Sequence, residues 1–139
     1  MKAANDLSFE DITIGDVYEF EREITEKDVQ GFAKLTGDYN PLHLDKEYAE
    51  KTNLGRNIVH GMLAGSLFST LLGMYCPGKR NLYMSQTLQF RNPIFFNEKL
   101  LIKGTITEKS DSTKMISIKT EIRDREKLLI TGEAKVRVI

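Results

Sequence analysis

The chain has one cysteine, two histidines, three prolines and no tryptophan in 139 residues. With Cys76 alone, an intrachain disulfide is excluded, and two histidines without a CxxC pair argue against a metal centre built from the usual ligands. Charge of one sign is not in excess: 20 basic residues balance 20 acidic ones, so no global field favours nucleic acid or an anionic membrane surface. The opening MKAANDLSFEDITIGD places no apolar stretch behind a basic one, so neither a secretory signal nor an Arg-rich transit sequence is expected, and the expected location is cytoplasmic. No segment is Pro-rich, Gly/Ser-rich or repetitive. At this length, with 40% hydrophobic residues, one continuous domain over residues 1–139 is expected.

Val17 to Ile24 alternates, with Tyr18, Phe20 and Ile24 on one face, and predicts a strand. Thr25 then stands three residues before Asp28, a capping-box spacing that predicts a helix to about Leu35. Asp45 is a similar cap for a short helix through Tyr48 and Ala49, and Gly37 to Leu44 between them reads as a Pro41-stiffened loop. From Asn57 to Gly78 there is no charge. This stretch includes His60, Ser66, Ser69 and Thr70 and precedes amphipathic strands, so it predicts a long helix buried in a soluble core, not a membrane span. Along it Gly61, Gly65, Ser69 and Gly73 form a stripe of small residues that lets a sheet or ligand come close.

Beyond Pro77 the period becomes two. One face is predicted to carry Leu82, Met84, Leu88 and Phe90, the next Leu100, Ile102 and Ile106, then Ile116, Ile118 and Ile122, then Leu128, Ile130, Ala134, Val136 and Val138. Polar turns join the last three strands into an antiparallel meander. The class is α+β: a curved antiparallel sheet wrapped around a long buried helix.

The segment LTGDYNPLHLD, Leu35 to Asp45, concentrates a carboxylate, an amide, a proline and an imidazole. On an irregular loop Asp38 and His43 can converge on one small molecule, for instance a water to be deprotonated. Read as ordinary loop residues, Asp38 caps a turn and His43 is a hydrogen-bonded histidine. Hydration of a conjugated thioester needs an activated water, a proton for the α-carbon and stabilisation of charge on the carbonyl oxygen.

Gly37-Asp38-Tyr39-Asn40-Pro41-Leu42-His43 resembles the hydratase motif of the MaoC-like family of (R)-specific enoyl-CoA hydratases. Arg56 to Leu63 (RNIVHGML) and Leu88 to Ile94 (LQFRNPI) resemble two further blocks of that family, and the similarity runs from Ile14-Gly15-Asp16 to the last strand. The resemblance implies a single hot-dog domain and reversible hydration of trans-2-enoyl-CoA to (R)-3-hydroxyacyl-CoA, without metal or organic cofactor. It implies Asp38 as general base, His43 as the residue orienting the water and assisting proton transfer, and Asn40 and Pro41 as loop-shaping residues. It places the thioester carbonyl against the N–H of Gly61. Ser66 is read either as a polar residue near substrate or as one satisfied by a backbone carbonyl. His60 is read either as a second imidazole of the site or as a histidine fixing the helix start.

The resemblance further implies at least a homodimer, with acyl-CoA as the small-molecule partner. The rival readings are a 3-hydroxyacyl dehydratase acting on acyl carrier protein, a hot-dog thioesterase, and a non-catalytic acyl-CoA-binding subunit. The thioesterase reading expects a carboxylate on the long helix, and Ile58 to Tyr75 has none. The binding-subunit reading expects Asp38 or His43 to be replaced. Arg56, Lys79, Arg80 and Arg91 are the cations near these segments available for CoA phosphates, and Phe68, Leu72, Tyr83 and Met84 are candidates to close the acyl tunnel.

Overall fold

A computed structural model describes residues 1–125 and 127–139. After a single 3-10 turn the chain forms β1 (Val17–Arg22), α1 (Glu26–Thr36), α2 (Pro41–Leu44), α3 (Lys46–Glu50), α4 (Gly61–Gly65) and α5 (Leu67–Thr70). A π turn, Leu71–Tyr75, extends α5. Strands β2 (Asn81–Gln86), β3 (Gln89–Phe90), β4 (Leu100–Ser110), β5 (Met115–Asp124) and β6 (Lys127–Val138) follow.

The local signals for the first helices act as their chemistry dictates. Thr25 accepts from the Asp28 N–H while the Asp28 carboxylate accepts from the Thr25 N–H at 2.9 Å, a reciprocal capping box at the start of α1. Asp45 caps α3 through the Tyr48 N–H at 3.0 Å. The expected loop from Gly37 to Leu44 is corrected: its second half is the one-turn helix α2. Asn40 caps this turn by accepting from the Leu42 N–H at 3.0 Å, and Pro41 takes the first position, where a missing N–H costs nothing.

The strands form one open antiparallel sheet in the order β1-β4-β5-β6-β2, with β3 also paired to β6. The meander β4-β5-β6 is as expected, and β2 crosses to the far edge to pair with β6. Its register aligns Ile102 with Ile122 and Ile106 with Ile118, then Ile122 with Ile130 and Ile116 with Val136, so the expected apolar faces coincide except at the start of β6, where the pairing shifts between Ile122 and Arg123 and Leu129, not the expected Leu128, joins the core. The helical segments from Gly61 lie across that face: Ala64, Phe68 and Leu71 pack with Ile102, Ile122 and Ile130 in one cluster, and Leu72 joins Ile106, Ile116 and Val136 in a second. Ser66 keeps right-handed helical dihedrals (φ −62°, ψ −18°), so α4, α5 and the π turn make one rod.

Two expectations need correction. The rod is not covered all round, because Met62, Ser66 and Ser69 are exposed. The assumed inner face of β2 is also reversed: Leu82 and Met84 are exposed and Tyr83 packs on the core. Alternation identifies two faces of an edge strand but not which one meets the core. Cys76 is buried, and burial raises its thiol to about 12, consistent with an unreactive core residue. No helix among the described residues is long and apolar enough to cross a membrane.

Candidate active site

The site is assembled from two segments that brace each other. At the end of α1, Gly37 takes φ 83°, a left-handed conformation natural to glycine, and its N–H closes the helix on Ala33 O at 2.8 Å. The chain therefore turns sharply into Asp38, whose carboxylate accepts from the Asn40 N–H at 3.2 Å. Asn40 in turn caps α2, which carries His43. The second segment runs from Asn57 into the start of α4. His43 Nδ1 lies 2.8 Å from Ile58 O, and His60 Nε2 lies 3.1 Å from Asp38 O. The Asn57 side-chain amide reaches three carbonyls of the first segment, Leu42 O at 2.9 Å, Asp45 O at 3.1 Å and Pro41 O at 3.4 Å.

These contacts fix the tautomers. A main-chain carbonyl only accepts, so His43 carries its hydrogen on Nδ1 and His60 on Nε2. In the neutral form His43 Nε2 and His60 Nδ1 then hold lone pairs. The two rings stack with centroids 3.9 Å apart, and Phe32 packs on His60 at 4.8 Å. Burial lowers the His43 pKa below its ordinary 6.5; the adjacent His60 acts in the same direction, while the Ile58 carbonyl and Asp38 oppose it. His43 is thus held as an acceptor near neutral pH.

Asp38, His43, His60 and Gly61 line one cleft of about 430 Å³, together with Phe90 and Arg91. The Phe90 ring lies over Gly61 so closely that a Cβ there would stand 2.8 Å from it. Of the sequence-predicted residues, Asp38, His43, His60 and Gly61 are therefore brought together. Asn40 acts as the cap of α2. Ser66 is not brought into this cleft: it lines a separate groove with Arg22, Lys27, Phe32 and Leu63, and its hydroxyl donates to Leu63 O.

Among the four cations, Arg91 reaches the cleft, where its Nε donates to Thr131 Oγ1 at 2.8 Å. Arg56 lies over the Phe95 ring and Arg80 pairs with Asp6 at 2.8 Å. Phe68 and Leu72 are fully buried, whereas Met84 is exposed. The bracing by Asn57 and the packing of Phe32 were not read in the sequence: Asn57 falls within the RNIVHGML block, but its partners, like that of Phe32, lie far along the chain.

Asp38, His43 and His60 present a carboxylate oxygen and ring nitrogens within 4.8 Å of one another. These are residue types that hold divalent metals. The Asp38 carboxylate approaches His60 at Nε2, 3.9 Å away, the nitrogen that already donates to Asp38 O, while the other ring nitrogen of His60, Nδ1, is buried.

An open antiparallel sheet crossed by one central helical rod, with an Asp and His cleft at the start of that rod, defines a hot-dog domain of the hydratase type. The family model described as "MaoC like domain" matches residues 9–127, and the chain belongs to that family. It is 35% identical over 132 residues to a 3-hydroxybutyryl-CoA dehydratase of Methylorubrum extorquens, covering 95% of this chain and 84% of the relative. It is also 35% identical over 133 residues to an (R)-specific enoyl-CoA hydratase of Aeromonas caviae, covering 95% of this chain and 99% of the relative. A solved R-hydratase from Pseudomonas aeruginosa superposes with a TM-score of 0.92 at 31% identity, over 97% of this chain and 87% of that one.

Proposed function

We propose that this chain is an (R)-specific enoyl-CoA hydratase, adding water to trans-2-enoyl-CoA and catalysing the reverse dehydration of (R)-3-hydroxyacyl-CoA. The observation that carries the reading is the convergence of Asp38, His43 and Gly61 on one cleft. Relatives named for the hydration and for the dehydration both match over nearly the whole chain, as expected of one reversible reaction.

Water held between the Asp38 carboxylate and the His43 Nε2 lone pair meets two acceptors. Asp38 takes a proton as the water oxygen bonds to the β-carbon. The double-bond electrons move toward the thioester carbonyl, whose oxygen gains charge. First-turn N–H groups of a helix have no intrahelical acceptor, so the Gly61 N–H is available to that oxygen. The proton then passes to the α-carbon with His43 assisting, which completes a syn addition and restores the dyad. Arg91 at the cleft supplies a cation for the anionic carrier.

We also infer a homodimer joined through the β2 edge. Leu82 and Met84 are 45% and 54% exposed there, apolar groups that a second copy would cover. A single buried cysteine suits the reducing cytoplasm, the proposed location.

The test is a spectrophotometric assay of purified protein with crotonyl-CoA and longer enoyl-CoAs, followed by chiral analysis. Turnover to the (R)-alcohol is expected. Absence of turnover at every chain length, or an (S) product, would sink the reading.

A further inference from the structure

We infer that His60 is a positioning residue of the hydration site: it pins the main chain of Asp38 and packs its ring on His43, so that both members of the dyad face one water. The inference rests on the reading of Asp38 and His43 as that dyad.

A histidine 2% exposed is costly to bury unless its polar atoms have partners. His60 has one partner: Nε2 donates to Asp38 O, 22 residues back in the chain, while Nδ1 is buried with no hydrogen bond among the described residues. A histidine serving only to start a helix would cap it. His60 stands at that position, but its side chain makes no capping bond. Its hydrogen bond goes instead to the residue proposed to carry the base.

The ring is also held from its sides. Phe32 packs on it from α1, and His43 stacks on it from α2. One imidazole thus joins three elements: the end of α1 through Phe32, the loop through Asp38 O, and α2 through His43. Loss of the Nε2–H would free the Asp38 carbonyl, and loss of the ring would free one face of His43. Among the described residues, the charged groups that line the same cleft as this pair are Asp38 from the loop, with Oδ2 3.9 Å from His60 Nε2, and Arg91. The adjacent His60 also acts with burial to lower the His43 pKa, which keeps the His43 lone pair free.

The test compares His60→Phe, which keeps a flat ring but has neither N–H nor charge, with His60→Gln, which keeps an N–H donor without the ring. In His60→Phe, kcat for crotonyl-CoA should fall about 10- to 100-fold with KM changed less than about twofold, the signature of a misplaced reacting group. The acid limb of its pH profile should move upward. Because the chain has two histidines, the ring C–H resonances of the single remaining imidazole report His43 directly, and its NMR titration midpoint should rise in both variants.

His60→Gln should recover part of the lost kcat. Equal losses in the two variants would overturn the pinning of Asp38. A folded His60→Phe with wild-type kcat and an unmoved His43 midpoint would overturn the proposal. If His60→Phe does not fold, the His43 midpoint in His60→Gln decides, and an unchanged value there is equally fatal. Should the wild type hydrate no enoyl-CoA, the functional reading fails, while the NMR titrations still decide whether His60 acts on His43.

Discussion

Asp38 and His43 act on one water in the proposed reaction, and that has a quantitative consequence. Asp38→Asn keeps size and hydrogen bonding but loses the acceptor strength of a carboxylate, so turnover should drop by roughly 10²-fold or more. His43→Gln should also suppress turnover. The double variant should lose much less than the product of the two factors, since the second change removes help from a water already idle. Steady-state kinetics on folded variants checks this, and losses that multiply would assign the residues to separate steps.

The lowered His43 pKa sets a pH window. The neutral ring is the acceptor, so kcat/KM should persist as pH falls through the ordinary imidazole value of 6.5 and drop only below it. Stability follows the same sign. Below about 6.5 the unfolded chain binds the proton before the folded one, so this group lowers stability with falling pH until the folded His43 is also protonated. Above that window it adds no slope. Melting temperatures of wild type and His43→Gln across pH 5 to 8 should therefore converge on the acid side.

At the scale of elements, the start of the helical rod is the sensitive point. A Cβ at Gly61 meets the Phe90 ring at 2.8 Å, so Gly61→Val both crowds Phe90 and covers the N–H proposed for the thioester oxygen. Overpacking of this kind costs about 1–3 kcal/mol. Phe90 is half exposed and can be trimmed, which separates the two effects. Adding Phe90→Ala to Gly61→Val should return the melting temperature toward wild type while turnover stays lost. Recovery of turnover along with stability would attribute the loss to packing.

What could be read in advance at this scale depended on the range of the signal. The capping box of Thr25 and Asp28 and the Asp45 cap are complete within four residues and were legible. So were the inward faces of the three meander strands, where isoleucines recur at period two, apart from Leu128, whose expected place in the core goes to Leu129 where the β5–β6 pairing shifts. Asn40 and Pro41 also carried a helix-start signal, but one turn is too short to show periodicity and read as loop. The inner face of β2 depends on which side of an edge strand meets the helix, and that is a tertiary fact. The placement of Ser66 in a groove apart from the dyad depends on the rotational phase of the rod. Asn57 binds carbonyls 12 to 16 residues back, and only the folded chain brings them near.

For the molecule as a whole, the open β2 edge argues for association. Wild type should be a dimer by size-exclusion chromatography with light scattering, and Met84→Lys, which puts charge on an apolar edge, should shift it toward monomer at micromolar concentration. A wild type that stays monomeric at every concentration would remove the inferred interface.

The bracing of the two site segments also bears on where this chain can change in length. His43 to Ile58, His60 to Asp38 and Asn57 to the α2 carbonyls tie the segments directly to each other, without help from the exposed turn around Asn53 and Gly55. That turn is a detour between two points already clamped together. A few residues inserted there, or a reporter group attached, would enlarge the detour and leave both imidazoles on their scaffold. Labelling at Asn53 is thus a route to following this protein without touching its chemistry.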